Sequence, residues 1–367
     1  MSIIFGLLKE RNETVSESEL LRASVVTECY ATGPGHTYVK GRLGMGLQPY
    51  FSHQRSEFEL RPLADSHRRV VSFDGRLDNY KELITELALS NADQLDSRIV
   101  LAAFDRWGEE CFSRLVGDWA LALWSEGDQS LYLARDHAGA RTLYVRQEHG
   151  ALHWSTHLDT FGAFGTELCL ADEYVARYLA FVPMREVTPY KGVSSVLPGH
   201  YATFRNGAIS CRAHWNAIVR TTTRHKSDEE YEAHFLSLFQ QSVERRTGPG
   251  APILAQLSGG MDSTSIVCMS SSRSKTHEFK INALVKALAE SHRQFKDPIV
   301  GSQDDDVARR VQYRRANLTV VKVLLHRDTY LLGKRSVDKI RDVVPNMLAV
   351  YNHGSNLLFG VRFTVLS

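Results

Sequence analysis

No Cys-x-x-Cys pair occurs in the 367 residues, and the five cysteines, at 29, 111, 169, 211 and 268, are odd in number and widely scattered. That pattern excludes a disulfide framework and a structural zinc site of ordinary spacing, and it predicts a reducing, cytoplasmic setting. An excess of one charge is also lacking, since 44 Lys and Arg stand against 42 Asp and Glu, a formal net charge of +2. No global field then draws the chain to nucleic acid or to an anionic membrane, so small molecules are the expected partners. Long hydrophobic runs are missing too. The opening run from Met1 to Leu8 meets Lys9, Glu10 and Arg11 at once, too soon for a signal peptide or a membrane span. There is no internal repeat and no low-complexity stretch.

What the chain does have is an apolar run, Ala251 to Leu257, that leads into Ser258-Gly-Gly-Met-Asp-Ser263. Bracketed by Pro249-Gly250 and by Gly259 and Gly260, it reads as a buried strand feeding a tight turn, and Thr264 to Met269 continues as the start of a helix. Such a turn cradles phosphate. Gly259 and Gly260 let the backbone approach an anion, the helix N-terminus with the Ser258 and Ser263 hydroxyls supplies donors, and Asp262 is placed to hold Mg2+. The Gly-Lys-Ser/Thr ending of a Walker loop is missing, which argues against simple γ-phosphate transfer. The hexapeptide instead resembles the pyrophosphate loop of ATP-dependent adenylating enzymes.

The length leaves room for two domains. In the first, residues 2–8 read as a strand, and Ser2 is eligible as an N-terminal nucleophile once Met1 is removed, although most chains beginning Met-Ser are nothing of the kind. Thr37 to Lys40 is a strand, followed by a glycine-rich turn at Gly41, Gly44 and Gly46. Arg55 is either a bidentate carboxylate clamp or a solvated edge-strand arginine. Val70 to Phe73 forms a strand ending at the turn signal Asp74-Gly75, and Asn79 to Leu89 an amphipathic helix. Asp96-Ser97 caps a helix that Gly108 stops. Strands over 118–124, 130–134 and 142–146 and a helix over 172–179 follow, with a hairpin around Arg205-Asn-Gly207. Short strands interleaved with helices suggest a layered α+β domain. Residues 217–226 are the linker, and Ser227-Asp-Glu-Glu230 is a capping box opening a long helix to Arg246. Beyond the phosphate loop, Ile281 to Ala289 reads as a helix, 304–314 as another, Leu318 to Leu324 as a strand, 337–344 as a helix, and Val361 to Leu366 as a last strand.

Five segments in this order resemble class B asparagine synthetases and their relatives: Phe73-Asp-Gly-Arg-Leu-Asp-Asn-Tyr80, Gly117 to Trp124, Leu133-Ala-Arg-Asp-His-Ala-Gly-Ala-Arg-Thr-Leu-Tyr144, Leu197-Pro-Gly-His200 and Leu257 to Ser263. The resemblance implies a four-layer αββα N-terminal-nucleophile-type glutaminase domain over 1–216. An α/β parallel-sheet, adenine nucleotide alpha-hydrolase-like synthetase domain follows over 227–367. It places glutamine's carboxylate on Arg55 and its amino group on Asp96. ATP lies on Gln256, Leu257, Ser258, Gly259, Gly260, Asp262, Ser263 and Ser367, with Mg2+ on Asp262 through pyrophosphate. A carboxylate such as aspartate would be adenylated and then amidated, releasing AMP and pyrophosphate.

The sequence also departs from that pattern. Ser2 stands where the family has its nucleophilic Cys, and Asp74-Gly75-Arg76 where it has Asn-Gly-Glu. A carboxylate at Asp74 cannot donate to an oxyanion and repels it. Glutamine hydrolysis is therefore expected to be lost or feeble. Residues 271–303 match nothing in the family, and the sequence stops at Ser367, where the family's second acidic loop begins, so a truncated synthetase domain is expected. Three readings result: an asparagine synthase-type ligase, an amide- or macrocycle-forming ligase without glutaminase, and an inactive remnant. An apolar edge left by the absent elements predicts self-association, as in a homodimer.

Overall fold

The computed structural model describes residues 2–90, 94–148, 150–165, 167–182, 184, 186–218, 222–247, 253–257, 261–273, 281–288 and 318–325. The chain divides into two compact units, Met1–Phe51 with Arg55–Thr221, and Ser52–Gln54 with Thr222–Ser367. The expected helices over 304–314 and 337–344 and the strand over 361–366 lie outside the described residues.

The first unit holds two six-stranded antiparallel sheets. One contains β1 (Ile3–Leu8), β2 (His36–Lys40), β3 (Leu43–Gln48), β8 (Tyr144–Glu148), β9 (Ala151–Ser155) and β10 (Ser194–Ser195), in the order β10-β8-β9-β1-β3-β2. The other contains β4 (Leu63–Ala64), β5 (Arg69–Leu77), β6 (Gly117–Ser125), β7 (Ser130–Arg135), β11 (His200–Arg205) and β12 (Ala208–Ala213), in the order β12-β11-β7-β6-β5-β4. The helices are α1 (Glu17–Thr27), α2 (Tyr80–Glu86), α3 (Asp96–Trp107), α4 (Asp159–Ala163) and α5 (Asp172–Leu179).

Period-two alternation explains why the layers stack as they do. Along β1, Ile4 and Leu8 meet Ala120, Ala122 and Trp124 of the facing sheet. Ile3, Phe5 and Leu7 point the other way, to Leu20 and Ala23 of α1. In the second sheet Phe73, Trp119, Leu121 and Leu123 turn away from that sandwich and pack on Ile99, Val100, Ala103 and Phe104 of α3. Both faces of both sheets are therefore covered, and β1 and β6 read as continuous apolar runs. The result is the expected αββα layering.

Two glycine readings need correction. Gly44 and Gly46 lie inside β3 and do not extend the Gly41 turn. A Cβ on Gly46 would stand 2.2 Å from the Phe5 ring, so this position is glycine because an aromatic side chain fills the space. Asp74-Gly75 is likewise no turn. Strand β5 runs through it, with Asp74 opposite Ala120 and Gly75 opposite Trp119. Gly75 has φ +139° and would place a Cβ 2.1 Å from the Asp118 carbonyl oxygen, so it admits only glycine within the ladder.

In the second unit α6 (Asp228–Arg246) begins at Ser227, whose hydroxyl accepts from the Glu230 N–H, while the Glu230 carboxylate accepts from the Lys226 N–H at 2.9 Å. Then come β13 (Ile253–Leu257), α7 (Met261–Arg273), β14 (Ile281–Leu288) and β15 (Leu318–Leu325), the strands forming a parallel sheet in the order β13-β14-β15. The helix expected from Ile281 is thus a strand. Its apolar residues fall at 281, 284, 285 and 288, a spacing that mimics a helix, and parallel pairing with β13 on one side and β15 on the other decides the outcome.

Candidate functional site

Four elements bring polar residues to one end of the first unit. Ser2 precedes β1, and its hydroxyl accepts from the Tyr50 N–H at 2.9 Å and donates to the Tyr50 carbonyl at 3.4 Å. Asp74, inside β5, is 2% exposed, and its carboxylate lies 3.8 Å from Arg141 Nε. Burial pushes the Tyr50 phenol above its ordinary pKa, and the positive charge of Arg141 opposes that shift. Arg141 therefore acts on both Tyr50 and Asp74. Arg76 turns to Asp78 at 2.7 Å.

The loop that presents Arg141 is held by Arg135 and Asp136, the first two residues of the Arg135-Asp-His-Ala-Gly segment. Asp136 is fully buried and accepts N–H groups from Trp119, Ala138, Ala140 and Arg141 at 2.9 to 3.3 Å. Arg135 donates to the carbonyls of Val196 and Gly139, at 2.8 and 2.9 Å, and to that of Arg141. A buried carboxylate and a buried guanidinium, each satisfied by backbone, hold the loop in one shape.

Arg55 sits on a 3₁₀ turn, Gln54–Phe58, and is no edge-strand residue. Its guanidinium donates to both oxygens of Asp96, at 3.0 and 3.2 Å, and to the Leu77 carbonyl at 2.8 Å, and it lies 3.7 Å over the Tyr80 ring. Asp96, fully buried, also accepts from the Leu77 N–H at 3.3 Å. Residues 41 apart in sequence are thus joined as a fork-on-carboxylate pair.

Asp96 does not cap α3, as the sequence suggested. Leu95 is the N-cap and has no side-chain oxygen to cap with, and Asp96 is the first helical residue. The missing acceptor comes from Glu59, whose carboxylate takes the Ser97 N–H at 2.8 Å. Glu59 leaves Asp96 free to face Arg55. Burial first, and the neighbouring Asp96 charge second, push the Glu59 carboxyl up to about 7, against the lowering effect of its Ser97 hydrogen bond and of Arg55. Tyr50, Glu59 and Arg141 escape sequence reasoning. Only Glu59 leaves a trace there, in that an apolar Leu95 at a helix start needs a cap from elsewhere.

In the second unit, Gln256 and Leu257 close β13 opposite Leu284 and Val285. Ser258, Gly259, Gly260 and Ser367 lie outside the described residues. Asp262 is exposed in the first turn of α7, with Ser263 half-buried beside it. The Thr264 hydroxyl oxygen in that turn is buried without a hydrogen-bond partner. A helix N-terminus with hydroxyls and one acid fits a Mg2+–phosphate group, in which Asp262 would contact the ion and the hydroxyls the phosphate oxygens. Among the described residues no cluster of three or more His, Cys, Asp or Glu could hold a metal by itself.

Comparison with known proteins matches residues 19–215 to the glutamine amidotransferase domain and residues 234–327 to asparagine synthase, so the match runs through 271–303, which the sequence reading sets apart from the family. The chain is 26% identical over 208 residues to asparagine synthetase [glutamine-hydrolyzing] 3 of Bacillus subtilis, covering 54% of this chain and 33% of that protein. It is 33% identical over 179 residues to amidase chyE of Penicillium rubens, covering 47% of this chain and 26% of that protein. With the carboxyethyl-arginine beta-lactam-synthase of Streptomyces clavuligerus it shares 25% identity over 236 residues, covering 61% of this chain and 44% of that protein. The matches thus span less than half the length of each of these relatives. With the amidotransferase pattern extending over more than half of its length, the chain belongs to the glutamine amidotransferase domain family, and an asparagine synthase segment follows in the same polypeptide.

Proposed function

We propose that this chain belongs to an ATP-dependent amide-forming ligase of the asparagine synthase type, whose front domain holds glutamine but hydrolyses it poorly. The observation that carries the reading is the buried carboxylate of Asp74 on β5, the same strand whose Leu77 backbone meets the Arg55–Asp96 pair. Glutamine's carboxylate would take the Arg55 fork and its amino group the Asp96 carboxylate, so binding exchanges one ion pair for two. Ser2 would be the nucleophile after removal of Met1, its own amino group serving as base. As attack proceeds, negative charge grows on the amide oxygen. Asp74 opposes that charge, and Arg141 offsets Asp74 without supplying the amide donor that an asparagine would.

In the second unit, Gln256 and Leu257 would meet the adenine side of ATP through backbone groups. The loop from Ser258 to Ser263 would surround pyrophosphate. Mg2+, when bound at Asp262, neutralises charge on the departing pyrophosphate. A substrate carboxylate such as aspartate attacks the α-phosphorus of ATP, pyrophosphate leaves, and an amine then displaces AMP. The small-molecule substrates and scattered free thiols suit a cytoplasmic enzyme, and among the described residues no helix is long and apolar enough to cross a membrane.

A second reading is favoured by the paired departures at Ser2 and Asp74 and by the resemblance to an amidase and a beta-lactam synthase. In it, the amine already belongs to the substrate and no ammonia is needed. Exchange of labelled pyrophosphate into ATP separates the two. Exchange driven by aspartate supports the first reading, exchange driven only by another carboxylate selects the second, and none with any carboxylate contradicts adenylation.

A further inference from the structure

The hairpin tips at the opposite end of the sandwich from Ser2 enclose a cleft of about 450 Å³. Ser2 lies next to Tyr50, beyond the Ile3–Gln48 pairing, whereas the cleft adjoins Leu43, which pairs with Leu8. The six residues of β1 separate the two ends by roughly 20 Å. The volume falls in the range of small-ligand sites, about 300–1,000 Å³.

Four cations from three segments line it. Arg11 follows β1, Lys40 and Arg42 flank Gly41 at the β2–β3 turn, and Arg68 precedes β5. Glu126 is the one carboxylate among the lining residues, and Lys40 already holds it at 2.7 Å. The wall thus carries a formal excess of three positive charges in a chain whose formal total is +2. Arg68 also acts on Glu126, so two of the cations share that one acid, and the hydrogen bonds of the other two go to neutral groups. Arg42 donates to Gln129 Oε1 at 2.9 Å and to the Lys9 carbonyl at 3.4 Å, and Arg11 donates to Asn206 Oδ1 at 3.1 Å. Burial first, then the like charge of Arg11, lowers the pKa of Arg42.

The cleft is also shaped. Arg68 and Gln129, neither a glycine, adopt φ of 60° and 49°, a left-handed backbone state that side-chain-bearing residues rarely adopt. The Arg42 guanidinium carbon lies 5.2 Å over the Trp124 ring, giving one wall a flat, cationic–aromatic surface. Planar guanidinium forks match phosphate oxygens, and an excess of three charges suits a dianion better than a single carboxylate.

We propose that this cleft is a second ligand site, taking a small phosphate ester with an attached ring. Arg11, Lys40 and Arg68 meet the phosphate, and the ring lies against the Arg42–Trp124 wall. The site is independent of the nucleotide reading of the second unit. Its test is a calorimetric titration of the full chain carrying Asp262→Ala, with adenosine 5′-monophosphate, ribose 5-phosphate and adenosine as probes.

One saturable site for the monophosphate is expected, weakened by about tenfold or more in Arg68→Asn/Lys40→Gln and weakened by salt. Ribose 5-phosphate should bind less tightly and adenosine least. Both positions are exposed and asparagine accepts a left-handed backbone, so the double variant should keep the parent's melting temperature. Absence of saturable binding would overturn the proposal. So would binding that the double variant leaves unchanged, or adenosine binding as tightly as its monophosphate. Failure of the second unit's assignment would read differently, as ATP binding unaffected by Asp262→Ala.

Discussion

Glu59 and Asp96 divide two tasks that a single acid at a helix start would ordinarily combine. Glu59 caps α3 through the Ser97 N–H, and Asp96 receives Arg55. Two buried carboxyls beside one guanidinium make the arrangement sensitive to proton count. Burial and the Asp96 charge push Glu59 up to about 7 in the folded chain against an ordinary 4.5, so between those values the folded state binds more protons than the unfolded one. Stability should therefore fall as pH rises from about 4.5 to 7, by on the order of 3 kcal/mol from this group, and then level off. Glu59→Gln keeps an acceptor for Ser97 and removes the titration. Melting curves at pH 5 and pH 8 should show a smaller loss for the variant than for the parent. Removing the cation instead leaves Asp96 buried without compensation, so Arg55→Ala should cost about 3–5 kcal/mol in urea unfolding.

Strand β3 shows how close packing of elements decides what a residue does. Gly46 faces the Phe5 ring across the β1–β3 pairing, and a methyl there overlaps an aromatic edge that sits in a filled layer. Gly46→Ala should lower stability by about 1–3 kcal/mol, read as a drop in melting temperature with unchanged secondary structure. The same element exposes the limits of local reading. Strands with both faces covered, such as β1 and β6, were legible as apolar runs, and α6 was legible from its capping box. Gly44, Gly46 and Gly75 misled because their glycines answer to distant atoms, namely Phe5, Leu20, Val15 and the Asp118 carbonyl. Ile281–Leu288 misled because its apolar spacing fits either period and only its neighbours decide. Within the site, Arg55, Asp74 and Asp96 could be picked out from the motif order. Tyr50, Glu59 and Arg141 could not, because their roles arise from contacts across 38 or more positions of sequence, as in the Glu59–Ser97 hydrogen bond and the Arg141–Asp74 pair.

At the scale of the whole chain, the near-balance of charge conceals a polarised front unit. One end of its sandwich carries paired acids and arginines around Ser2, and the other carries the excess of cations that lines the cleft. The first end bears the central proposal, that the Arg55–Asp96 pair still takes glutamine while hydrolysis is suppressed by Ser2 and Asp74. Ammonia release from glutamine tests it most directly, measured for the parent chain, for Ser2→Ala and for Ser2→Cys/Asp74→Asn, with Met1 removed in each. The account predicts that the parent and Ser2→Ala both release ammonia at background, and that the double variant rises by on the order of 100-fold, the range associated with one oxyanion donor. Robust release by the parent that Ser2→Ala abolishes would contradict it.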